Sequence, residues 1–81
     1  MNSIQLTETD IISYEYVGWF TFTKKAILYH NNRQIAELKL MPEALLTRKI
    51  GGRDFVFKAK LSWTDKIKAE ISYDGVLLFK T

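Results

Sequence analysis

The chain has no cysteine, one histidine and one proline among its 81 residues. Without cysteine no disulfide can staple the fold, and no thiolate can ligate a metal or attack a substrate. A single histidine leaves the usual zinc ligand sets incomplete. No apolar run approaches the roughly 20 residues that a membrane-crossing helix needs. The opening MNSIQLTETD lacks the basic-then-apolar order of a secretory leader. Charge of one sign is scarce as well. Twelve basic against nine acidic residues leave a net charge of +3, whereas nucleic-acid modules concentrate more charge on one face. These absences predict a cytoplasmic protein with no cofactor, no metal and no membrane insertion.

What is present is hydrophobic patterning. Apolar residues make up 47% of the chain and charged residues 26%, ordinary for a soluble globular protein. A chain of this length can bury about 60–65% of its unfolded surface around one modest core. Residues 1–81 therefore read as a single small β-rich domain.

The second half is the clearest. In RDFVFKAKLSW, Phe55, Phe57, Ala59, Leu61 and Trp63 alternate with Asp54, Val56, Lys58, Lys60 and Ser62. A period of two marks a strand with one buried face. KIKAEISY repeats the pattern with Ile67, Ala69, Ile71 and Tyr73 inward. A three-residue turn at Thr64-Asp65-Lys66 keeps the faces matched, placing Trp63 opposite Ile67, Phe57 opposite Tyr73 and Lys60 opposite Glu70. Asp74-Gly75 is a strong hairpin signal, because both central residues of a type I′ turn need positive φ. It predicts Tyr73 opposite Val76 and Ile71 opposite Leu78. Residues 54–81 are thus expected to form a three-stranded meander.

The first half carries a second hairpin, KKAILYHNNRQIAELKL. A loop of Asn31-Asn32-Arg33 aligns Ala26, Leu28, Ala36, Leu38 and Leu40 on one face. YEYVGWFTF precedes it, with five aromatic rings in nine residues. Tyr14, Tyr16, Phe20 and Phe22 share one face and suit a core strand. Trp19 lies on the other, and Gly18 marks a bulge or tight bend. In MPEALLTRKIGG, Pro42, Glu43 and Gly51 are start and stop signals for a short helix over 42–49. The opening SIQLTETDII reads as a strand or one helical turn. KAILYHNN and KAEISYDG echo one another, over too short a span to count as a repeat. The expected fold is all-β to β-rich α+β: five or six antiparallel strands curled into a roll or open barrel, with that one helix.

Catalytic chemistry finds little support. Ser13, Ser62 and Ser72 have one candidate base, His30, which stands beside a hairpin bend and reads as a partly exposed turn residue. A triad needs nucleophile, base and orienting acid together. TETD at 7–10 lacks the spacing of a calcium loop and reads as a turn that caps itself. IGGRD lacks the lysine and serine of a phosphate-binding loop. The enzyme class is therefore disfavoured.

Two surfaces remain. Lys58, Lys60, Lys66 and Lys68, with Arg53 near one end, form a basic outer face that suits an anionic partner or is simply a solvated face that discourages aggregation. Stacking of bases is disfavoured, because Phe55 and Phe57 point away from these lysines. Leu77 and Phe79 fall on the outer face of the last strand and need cover, either from the helix at 42–49 or from a partner. With Trp19 they are the candidate protein interface.

VGWFTFTKKAILYHNNRQIAELKL resembles one hairpin unit of the tubby-like family that includes LURP-one and scramblase proteins: a glycine, an aromatic strand, paired basic residues and an Asn/Gly hairpin. The family encloses a long central hydrophobic helix that this chain lacks, so the resemblance assigns no site residues. The expected function is a small non-catalytic protein-binding module, an inhibitor or regulator of a larger protein such as a phage or mobile element directs at a host enzyme. Nucleic-acid binding through the lysine face comes second. An accessory or structural subunit of a homo-oligomer, joined through an edge strand, comes third.

Overall fold

Three pairs of adjacent residues with positive φ set the chain's hairpins: Asn31 and Asn32 (50° and 68°), Gly51 and Gly52 (61° and 78°), and Asp74 and Gly75 (53° and 78°). Such pairs twist in the sense of the strands they join. The computed structural model describes residues 1–19, 23–62, 64 and 66–81. Eight strands run in chain order: β1 (Asn2–Gln5), β2 (Ile11–Val17), β3 (Lys25–His30), β4 (Arg33–Lys39), β5 (Ala44–Ile50), β6 (Arg53–Leu61), β7 (Ile67–Tyr73) and β8 (Val76–Lys80). They form two four-stranded antiparallel meanders, β1-β2-β3-β4 and β5-β6-β7-β8. The class is all-β. The expected five or six strands become eight, in two open sheets rather than one curled roll. Among the described residues no helix is long and apolar enough to cross a membrane.

The helix expected over 42–49 is a strand. Pro42 and Glu43 stay in the connection from β4, and β5 starts at Ala44. Ala44 and Ile50 are buried and Leu46 is half-buried, while Leu45, Thr47 and Lys49 are exposed. That is period two, and Gly51-Gly52 is a two-residue hairpin turn to β6 rather than a helix stop. The undecided N-terminus is a strand too, with β1 pairing along β2 from Asn2↔Tyr14 to Gln5↔Ile11.

The inner faces share one core. Ile12, Tyr14, Ala26, Leu28 and Leu40 from the first half meet Ala44, Ile50, Phe55, Phe57, Ala59, Ala69, Ile71 and Tyr73 from the second. Phe55 and Phe57 have no exposed surface, and each such side chain stabilises the fold by about 1.5–3 kcal/mol. Tyr14 links the sheets, its ring 6.0 Å from Phe57 of β6 and 6.1 Å from Phe79 of β8. The buried Tyr73 hydroxyl donates to the Ile50 carbonyl at 2.6 Å. Phe20, Phe22 and Trp63, expected in the core, lie outside the described residues. β2, which carries Tyr14 and Tyr16 of the aromatic stretch, ends at Val17. Gly18 follows with φ 117°, so close to Thr23 that a Cβ would sit 2.6 Å from the Thr23 carbonyl oxygen.

Registers depart from expectation in two ways. Between β6 and β7 the pairs are Leu61↔Ile67, Ala59↔Ala69, Phe57↔Ile71 and Phe55↔Tyr73. The shift is two residues, so the faces are kept. The other change is a bulge in each of two hairpins. After the Asn31-Asn32 turn, Tyr29↔Gln34 is followed by Leu28↔Ala36, leaving Ile35 unopposed. After Asp74-Gly75, Ser72↔Leu77 is followed by Ile71↔Phe79, leaving Leu78 unopposed. An extra residue reverses side-chain parity. In β4 it turns Ala36 and Leu38 inward despite the two-residue turn. In β8 it turns Phe79 inward and Lys80 outward.

The short sequence echo marks equivalent places. KAILYHNN is β3 with its turn, and KAEISYDG is most of β7 with its turn. Both bulges stand at the same step, and the Asn31 amide bonds to the Ile11 carbonyl as the Asp74 amide does to Asp54.

Candidate binding face on the second sheet

Cross-strand registers place charge on the outer face of the second sheet in rows. One row reads Leu45, Lys58, Glu70, Lys80 across β5, β6, β7 and β8. The next, toward the 62–66 turn, is Lys60 opposite Lys68. On the other side Thr47, Val56, Ser72 and Leu77 run in line. Lys58, Lys60, Lys68, Lys80, Glu43, Glu70 and Thr81 line an open depression of about 260 Å³. None of its four lysines has an ion-pair partner among the described residues.

The matching face of the first sheet differs. Glu15 and Glu37 stand where the second sheet has Lys58 and Lys80, counted from the equivalent turns. There Lys25 faces Lys39, but Glu37 bonds to Lys25 at 3.2 Å and relieves the repulsion. Glu15 accepts a hydrogen bond from Tyr29 at 3.0 Å, which pushes the Tyr29 hydroxyl pKa above its ordinary value. At the far end of the second sheet Lys49 pairs with Asp54 at 2.8 Å, so its ammonium is held charged to higher pH than usual. Lys25 and Lys49 thus have carboxylate partners that, among the described residues, the four lysines of the depression lack.

Of the residues proposed for an anionic partner, Lys58, Lys60 and Lys68 are brought together. Lys66 is exposed in the turn before β7 and does not line the depression. Arg53 stands at the opposite end of β6, beside Asp74 (Nε to Oδ2 3.8 Å). Lys80 was missed because the four apolar residues Val76 to Phe79 hide the bulge that turns it outward.

Of the residues proposed for a protein interface, Leu77 is on the outer face and 52% exposed, while Trp19 is 95% exposed beyond the end of β2. Phe79 is half-buried against the core and Tyr14. Its expected outward position fails because of the bulge, and the first sheet covers it. Leu45, 55% exposed, joins the outer face because 42–49 is not helical.

His30 makes a separate cluster. Its Nε2 lies 2.8 Å from Asp10 Oδ1. The Thr7 hydroxyl donates to Asp10 Oδ2 at 2.6 Å and accepts from the Asp10 amide at 3.1 Å. The TETD turn thus caps itself, and Asn31 ties it to the β3–β4 turn through Thr9 and Ile11. The Thr7 bond, then the His30 bond, hold the Asp10 carboxyl below its ordinary pKa. No group of three or more metal-ligating side chains occurs among the described residues. No family model, curated protein or solved structure matches the chain.

Proposed function

We propose that this protein is a non-catalytic binding module that docks another protein on the outer face of its second sheet, as an inhibitor or regulator. The observation that carries the proposal is Lys60 facing Lys68 with no carboxylate of the described residues within ion-pair distance. Like charges directly opposite destabilise a sheet by some tenths of a kcal/mol, and departures from local consistency concentrate at functional sites. Exposed Leu45 and Leu77 supply apolar contact at the β5 and β8 edges of this face, and the lysines of the two central strands supply charge between them. Edge pairing through β8 is a weaker route, because the bulge at Leu78 and the charge of Lys80 both discourage it.

The test is affinity capture with the wild type, Leu45→Asp and Leu77→Asp, at low salt and at ~150 mM, where exposed charges are screened beyond about 8 Å. Both variants are expected to melt close to the wild type, since both positions are more than half exposed. A protein held by the wild type at the higher salt and lost by both variants supports the proposal. Nucleic acid retained at low salt, released at higher salt and indifferent to both variants favours the second reading, which rests on the four unpaired lysines.

A further inference from the structure

The row Lys58, Glu70, Lys80 has a pattern that a plain anion receptor would not need. Glu70 pairs in register with both lysines, on β6 and on β8. Neighbouring strands lie about 4.8 Å apart, so the two lysine backbones stand roughly 10 Å apart with a carboxylate between them. Glu43 adds a second carboxylate to the same depression. A continuous polyanion laid across this row must bring its charge against Glu70. Among the described residues Phe55 and Phe57 of β6 offer no ring for stacking, since both are wholly buried on the other side.

Resting on the reading that this face docks a protein, we infer that Glu70 is its specificity-determining residue. It selects a polypeptide surface that sets a cation between two anions, and it rejects nucleic acid. The lysines bring the partner's carboxylates. Glu70 takes the partner's cation, and against a phosphate backbone it stands as a like charge that costs affinity.

The assay uses a fluorescent single-stranded DNA oligonucleotide and poly-L-glutamate as polyanion probes, at ~50 mM salt where phosphate contacts are strong. The proteins are the wild type, Glu70→Gln and Glu70→Lys, each confirmed folded by its melt. Removing or reversing the charge is expected to tighten binding of both probes, by about tenfold or more for Glu70→Lys, with a steeper salt slope. In capture, Glu70→Gln should weaken retention of the wild type's protein partner, which shows that the residue recognises as well as repels. Equal probe binding by all three proteins overturns the inference. So does tight oligonucleotide binding by the wild type that Glu70→Lys fails to improve. Neither result touches the protein-binding reading, which stands or falls with the leucine variants.

Discussion

Replacing Phe79 by alanine separates the inward ring that the β8 bulge creates from the outward ring that simple alternation implies. Truncating a fully buried phenylalanine costs about 3–5 kcal/mol. Phe79 is half-buried, which scales that to about 1.5–2.5 kcal/mol. Loss of the ring contact with Tyr14, 6.1 Å between centroids, adds about 0.5 kcal/mol, the low end for an aromatic pair. The expected destabilisation is therefore about 2–3 kcal/mol. For a domain this small the urea slope is ~1 kcal/mol/M, so the unfolding midpoint should fall by about 2–3 M. Leu77→Ala, at the outward position one residue before the bulge, should lose under about 0.5 kcal/mol, as exposed sites do. The assay is urea unfolding of the two variants beside the wild type, followed by circular dichroism. A Phe79→Ala loss no larger than that of Leu77→Ala would refute the reasoning, because it would put the ring in solvent and β8 in unbulged register.

Two further outcomes follow from local geometry. Gly18→Ala meets both a φ of 117° and a backbone oxygen 2.6 Å from the new Cβ, and should cost about 1–3 kcal/mol in the same urea assay. Gly52→Ala, with nothing within 4 Å, pays only for its positive φ and should cost about 1–2 kcal/mol. Asp10 should make stability fall in acid. Its carboxyl pKa is lower folded than unfolded, so the unfolded chain binds the proton first as pH drops. The stabilisation is whole above the ordinary value of 3.8 and is lost as pH falls through the lowered one. Melting temperature against pH should therefore decline more steeply for the wild type than for Asp10→Asn over that acid range, and parallel curves would count against the Thr7–Asp10–His30 cluster.

Much of the fold can be read from alternation alone, because a half-buried strand must repeat every two residues. Phe55 to Leu61 and Ile67 to Tyr73 show it plainly, and their faces survive even though the pairing is shifted by two. The Ala26, Leu28, Ala36, Leu38 alignment is also legible, but it is reached by a two-residue turn plus a bulge instead of a longer loop. Residues 44–50 mislead because Pro42, Glu43 and Gly51 mimic helix punctuation. Pairing with β6 overrides that local signal, and the overlooked cue was Gly51-Gly52, itself a hairpin pair. Val76-Leu77-Leu78-Phe79 conceals its bulge because four apolar residues show no period. The candidate site suffers most from that gap. Lys80 and the Lys58–Glu70–Lys80 row appear only once the register is known, and the expected favourable Lys60–Glu70 pair becomes Lys60 facing Lys68.

That last pair tests the central claim that the lysine face is kept for binding at a cost to stability. Lys60→Gln removes the like-charge contact, so relief of some tenths of a kcal/mol should raise the melting temperature by about 1–5 °C. The decisive measurement is partner retention by this variant beside the wild type at ~150 mM salt. Weaker retention by a protein at least as stable as the wild type is the predicted result, and undiminished retention would contradict the account.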